Sequence, residues 1–164
     1  MEKTSFPDIT IMDVIHHCSV SRPTFYRLFD NLSDILYWKC EQSMLETIEY
    51  ARANPSASFE ELFAQFSSFW MQNRILLQLL VRNSMTDILF QLHANHIDDI
   101  KNIFFADRPM SEMQREYLAC LLSAIIPAVF KIWSKHPEQD PRLFFSQLKN
   151  GIATLYSVFS TPKK

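Results

Sequence analysis

Glycine is almost missing from this chain: Gly151 is the one glycine in 164 residues. Loops that cradle phosphate need several glycines for left-handed backbone and close approach, so nucleotide-binding loops of that kind are excluded. Glycine-turn hairpins are equally short of material, which argues against a β-rich fold. The three cysteines, Cys18, Cys40 and Cys120, are odd in number and far apart. They form neither a disulfide framework nor a Cys-x-x-Cys zinc pair, so reduced thiols in a cytoplasmic protein are expected. No uninterrupted apolar run approaches the length of a bilayer span, and no membrane partner is expected. The opening "MEKTSFPDIT" holds no apolar signal core. Neither sign of charge dominates, with 16 Lys and Arg against 18 Asp and Glu. There is no nucleophile elbow and no cluster of metal-ligand spacing, so no enzyme, no metal and no cofactor are expected.

What is present is apolar and periodic. Hydrophobic residues make up 48% of the chain, and 14 phenylalanines are among them. Long runs of helical period with few turn signals indicate an all-α protein. Ile11, Val14 and Ile15 form a short stripe that Thr10 can cap. Ser21 caps a second short helix with Phe25, Leu28 and Phe29 at i, i+3 and i+4. Pro23 falls in its first turn, where the N–H groups have no intrahelical acceptor. Asn31 or Ser33 caps a longer helix reaching about Ala53, and "NPSAS" is a loop. Further stripes are Leu62, Phe63, Phe66, Phe69 and Trp70; then Ile75 to Val81; then Ile88, Leu89, Leu92, Ile97, Ile100 and Phe104. After "ADRPMS" comes the most apolar run, Tyr117 to Trp133, and after "SKHPEQDP" a final one from Leu143 to Phe159.

The stretch "CSVSRPTFYRLFDN" joins two short helices by a tight turn and puts polar residues early in the second. Two readings are open for it. In a helix-turn-helix, Arg22, Thr24, Tyr26 and Arg27 reach bases or phosphates while Phe25 and Phe29 face inward. In an ordinary bundle the same residues form a capped corner.

"ITIMDVIHHCSVSRPTFYRLFDNLSDIL" resembles the DNA-binding segment of the TetR family of bacterial transcriptional regulators. Thr10, Ile11, Asp13 and Val14 match the first helix of that motif. Val20, Ser21, Thr24, Phe25, Tyr26, Arg27 and Phe29 match the turn and recognition helix, and Asn31, Asp34 and Ile35 the start of the next. The resemblance implies a helix-turn-helix domain over residues 1–50, in contact with operator DNA through Thr10, Ser21, Arg22, Pro23, Thr24, Tyr26 and Arg27. It implies a helical effector-binding and dimerisation domain over residues 51–164. The expected function is a repressor released from double-stranded DNA by a small apolar effector. The alternative is an interaction module that no longer binds DNA by itself. Three departures bear on that choice. Ser19 stands where the family has its turn glycine, and Leu32 where it has a lysine. The family's first helix, which covers Phe6, Ile11 and Phe29, is expected to be largely missing. Residues 1–40 also carry Lys3, Arg22, Arg27 and Lys39 against Glu2, Asp8, Asp13, Asp30 and Asp34, a net charge of −1. That is little phosphate neutralisation for a DNA-binding surface.

In the larger part, Phe63, Phe66, Trp70, Met85 and Phe90 are candidates to line an effector cavity of a few hundred Å³, though an aromatic stripe also reads as plain core. His93 and His96 in "HANHIDD" can share one helix face, either as metal ligands or as a solvated polar face; the second is expected, and for His16 and His17 too. Pro127 should kink its helix. The resemblance makes the last two helices the homodimer interface, with Leu122, Ile125, Val129, Trp133, Leu148, Ile152 and Leu155 facing the partner. A close helix approach there would justify Gly151.

Overall fold

The computed structural model describes residues 8–105, 108–136 and 139–160; Phe6 and the side chain of Phe159 lie outside the described residues. It is all-helical, with no strand among the described residues. Two short helices, α1 (Ile11–Cys18) and α2 (Arg22–Leu28), precede the long α3 (Leu32–Ala53). Then come α4 (Phe59–Gln72), α5 (Arg74–Arg82), α6 (Asp87–Asn95), α7 (Ile97–Phe105), α8 (Glu112–Trp133) and α9 (Pro141–Ser160).

Most helix starts follow from their caps. Thr10 and Asp13 form a reciprocal box, the Asp13 N–H donating to the Thr10 hydroxyl and the Asp13 carboxylate accepting the Thr10 N–H at 2.8 Å. Asn31 with Asp34, Ser58 with Glu61, and Ser111 with Gln114 repeat the device at α3, α4 and α8. Each satisfies two backbone donors that the helix itself leaves orphaned. α4 ends where Asn73 folds its side-chain amide back onto Phe69 O at 2.9 Å, and α5 where Asn83 does the same to Leu79 O at 2.8 Å. The stripe from Ile88 to Phe104, continuous in sequence, is two helices: the chain bends at His96, whose φ of −106° and ψ of 22° leave the helical region. Pro127 sits inside α8 without ending it.

α3 packs along both α4 and α6, and α8 lies against α6 and α7. α9 rests on α4. The core fills the space between them, with Cys40, Met44 and Ile48 from α3, Phe66 and Trp70 from α4, Leu89 and Leu92 from α6, and Ala119 and Phe130 from α8. α3 runs through the boundary expected at residue 50, so the two-helix motif and the larger bundle share one element. The motif is joined to it by Phe29, whose ring lies 6.3 Å from that of Trp38.

By length and composition alone α8 is apolar enough to cross a bilayer, with mean hydropathy 1.5 over an 18-residue window, although Ser123, Pro127 and Lys131 interrupt its apolar run.

Ser19, in the turn between α1 and α2, has φ 53° and ψ 35°, the left-handed region that disfavours any Cβ. Ser19→Gly should therefore stabilise the fold by about 1 kcal/mol, raising the urea midpoint without changing the slope; an unchanged or lower midpoint would show the turn to be unstrained.

Candidate functional site

Three features carry functional potential, the first being the α1–α2 motif. Ser21 caps α2: its hydroxyl accepts the Thr24 N–H at 3.2 Å and sits 2.7 Å from the Thr24 hydroxyl. Phe25 is buried and Phe29 half-buried, both turned inward, with ring centroids 5.9 Å apart. That leaves Arg22, Pro23, Tyr26 and Arg27 exposed on one end and flank of α2. The Arg22 guanidinium lies over the Tyr26 ring, 5.7 Å from its centroid, and so holds both side chains together on the surface. Of the expected DNA contacts, these four and the cap Ser21 are presented to solvent. Thr10 is also exposed, but its hydroxyl donates to the Asp13 carboxylate at 2.6 Å. Thr24 is half-buried with its hydroxyl tied to Ser21. The hydroxyls of Thr10 and Ser21 thus already serve as caps, and that of Thr24 is paired with Ser21. Two nearby carboxylates are also engaged. Thr10 hydrogen bonds hold the Asp13 carboxyl below its ordinary pKa, and Asp34 accepts the N–H groups of Asp30 and Asn31.

The second feature is a cavity between α3, α4, α6, α7 and α8. Its volume is about 40 Å³, not the few hundred expected. Phe63 and Phe66 line it, as expected, beside Thr47, Phe59, His93 and Phe104, which sequence reasoning missed. Trp70 does not: it is fully buried among Phe66, Phe69 and Phe130. Phe90 is exposed on the outer side of α6, and Met85 packs on the core away from the cavity. The space is small because the aromatic side chains close on one another, Phe66 lying 5.5 Å from Phe130. An open groove of about 410 Å³ between α4, α8 and α9 adjoins it, sharing Phe59, Phe63, Leu122 and Ile126 as walls.

His93 was expected on a solvated face and is instead fully buried. Its Nδ1 meets Leu89 O at 2.6 Å and its ring packs edge-on to Phe66 at 5.8 Å. Burial pushes its pKa below the ordinary value, because the imidazolium would lose its hydration. His96 is elsewhere, bridging Glu41 at 3.3 Å and Asp99 at 3.2 Å. Among the described residues no three His, Cys, Asp or Glu side chains are grouped to hold a metal ion.

The third feature is an uncovered apolar face on the last two helices. On α8, Tyr117, Leu121, Ile125 and Ile132 are exposed, Leu121 by 55% and Ile132 by 58%. On α9, Leu143, Ile152, Leu155 and Tyr156 are exposed too. Ile125, Ile152, Leu155 and Gly151 lie where an interface would need them. Val129 and Trp133 do not: both are buried in the chain's own core, where Trp133 stacks on Phe144 at 6.1 Å, so they are removed from that set. Leu122 and Leu148 are half-buried against the core. A Cβ at Gly151 would meet nothing within 4 Å, so among the described residues no close approach accounts for that glycine. No protein-family model matches the chain, and no curated protein does.

The state of His93 has a measurable consequence. Folded, it is neutral; unfolded, it takes a proton below its ordinary pKa of 6.5. Stability is therefore complete above that pH and falls below it, by up to about 1.4 kcal/mol per pH unit for one proton. Denaturant titrations between pH 7.5 and 5 should show this slope, and His93→Leu should lessen it. Equal slopes in the two proteins would place the proton elsewhere.

Proposed function

We propose that the chain is a TetR-like transcriptional regulator: a cytoplasmic homodimer, without enzymatic activity, that represses from double-stranded operator DNA and is released by a small apolar effector. The observation that carries this reading is the presentation of Arg22, Tyr26 and Arg27 on an exposed, serine-capped α2 that follows α1 through a left-handed turn. That is the spacing and polarity a recognition helix needs in the major groove. The uncovered face of α8 and α9 supports the dimer. A patch of that extent is unusual on a monomer, and two-fold operators need two motifs. The inner face of α8, with Ala119, Ser123 and Phe130 buried against other helices, supports a core helix over a membrane span.

In this mechanism the effector enters the larger bundle and moves α8, which alters the separation of the two recognition helices. DNA affinity then falls because the duplex sets the half-site spacing. One observation favours the alternative, an interaction module without DNA binding of its own. Leu28 and Trp38 are 64% and 51% exposed near the motif, which suits a protein partner better than a phosphate backbone.

A duplex selected from a random library by the wild-type chain provides the test. Replacing Arg22 and Tyr26 together by alanine should weaken its retention, at about 1–3 kcal/mol for each lost contact. Helicity and association state should not change. Retention equal to wild type would remove α2 as the reading helix, and failure to select any duplex would favour the interaction module.

A further inference from the structure

Trp70 carries a hydrogen-bond donor that the protein leaves unused. The residue is fully buried, and its Nε1 has no hydrogen-bond partner. An indole nitrogen can only donate, and a buried donor without an acceptor is costly. Trp133, the other buried tryptophan, donates its Nε1 to Gln139 O at 3.2 Å. Trp70 borders a pocket of about 90 Å³ where the end of α4, the start of α5 and the end of α8 meet. This pocket shares no residue with the small apolar cavity, and unlike that cavity it has polar surface in its wall.

Besides Trp70, the polar side chains of that wall are Arg74, Gln78 and Ser134. Arg74 is exposed, and among the described residues no carboxylate pairs with it. It opens α5, whose start carries no side-chain cap. No Asp or Glu lines the pocket. The end of α8 offers little to a cation either. Phe130 O, Ile132 O and Trp133 O already accept the N–H groups of Ser134, Lys135 and His136, and Lys131 O accepts the Ser134 hydroxyl at 2.9 Å. The wall therefore has donors to spare, a guanidinium among them, and no negative charge. Met71, Leu77 and Trp133 supply its apolar part.

That inventory selects an anion with a small apolar body. A carboxylate takes two parallel N–H groups from a guanidinium, and its remaining lone pairs suit an indole N–H. A cation would meet Arg74 with no counter-charge in the wall, and a hydrocarbon would leave Nε1 orphaned. An apolar cavity of about 150 Å³ takes benzene, so a pocket of about 90 Å³ suits something smaller than that ring. We propose that this pocket binds a short-chain aliphatic carboxylate, its charge held by Arg74 and the Trp70 indole N–H and its tail laid against Met71, Leu77 and Trp133. Occupancy would tie the α4–α5 corner to the end of α8. The site stands apart from the apolar cavity and does not depend on the regulator reading.

The test uses the full chain with ¹⁵N-labelled tryptophan at constant pH and ionic strength. Trp38→Phe and Trp133→Phe identify two of the three indole N–H signals and leave Trp70 as the third. If the second variant does not fold, cross-peaks between neighbouring rings assign the signals, Trp70 to Phe69 and Trp133 to Phe144. Sodium propionate should move the Trp70 signal saturably and leave that of Trp38 in place. Propionamide, its uncharged isostere, should bind about tenfold more weakly, because it lacks the charge-assisted bonds to Arg74. Arg74→Gln should lower propionate affinity by a similar factor without changing the melting temperature, since that side chain is exposed. No saturable movement of the Trp70 signal, equal affinity for propionamide, the same shift with sodium chloride, or undiminished propionate affinity in Arg74→Gln would each overturn the proposal.

Discussion

Trp70 and Phe130 meet at 5.3 Å between ring centroids in the middle of the larger bundle, and the placement of every helix around them is constrained by that contact. Trp70 is fully buried and Phe130 nearly so. Phe66, Phe69 and Trp133 extend the cluster at 5.4 to 6.3 Å, tying α4 to α8, and Phe144 brings in α9. Large rings carry much of the burial energy in a domain of this size, and their edge-on and tilted geometry adds to it. The arrangement also uses up the space that an aromatic-lined cavity would need, which is why the cavity beneath Phe59 is so small.

The same contact fixes which side of α8 is left uncovered. With Phe130 turned inward, a residue nine positions earlier lies two and a half turns away, on the opposite side. That residue is Leu121, and it is exposed. Ile132 falls outward for the same reason. Inward positions two and three turns up are filled by Ser123 and Ala119, small enough to bring α8 close to its neighbours; Ser123 satisfies its hydroxyl on Ala119 O at 2.9 Å. Over its first half α8 thus buries small residues and leaves Tyr117, Leu121 and Ile125 exposed, the face that the proposed second copy would cover. Effector, dimer and DNA affinity would then meet on one element, since the inner side of α8 borders the cavity and its outer side the proposed partner.

Much of this was legible in the sequence. Thr10, Ser21 and Asn31 announce helix starts because a cap must supply an acceptor at that position, and the inward turn of Phe25 and Phe29 follows from their spacing. Other features were not. "HANHIDD" reads as polar, yet His93 is buried because its one donor is satisfied on its own helix. The bend at His96 has no proline or glycine to mark it. α8 is apolar around its circumference, so periodicity could not tell core from interface; Val129 and Trp133 were assigned to the wrong side. Trp70 and Phe90 were assigned to a cavity by residue type, whereas mutual packing decides whether aromatics leave a void.

The central claim is that the outer face of α8 and α9 is covered by a second copy of this chain. Sedimentation equilibrium on the wild-type protein at micromolar concentration tests it most directly. A species of twice the 19.3 kDa chain mass, dissociating only on dilution, is the expected result. A single species at 19.3 kDa across that range would contradict it.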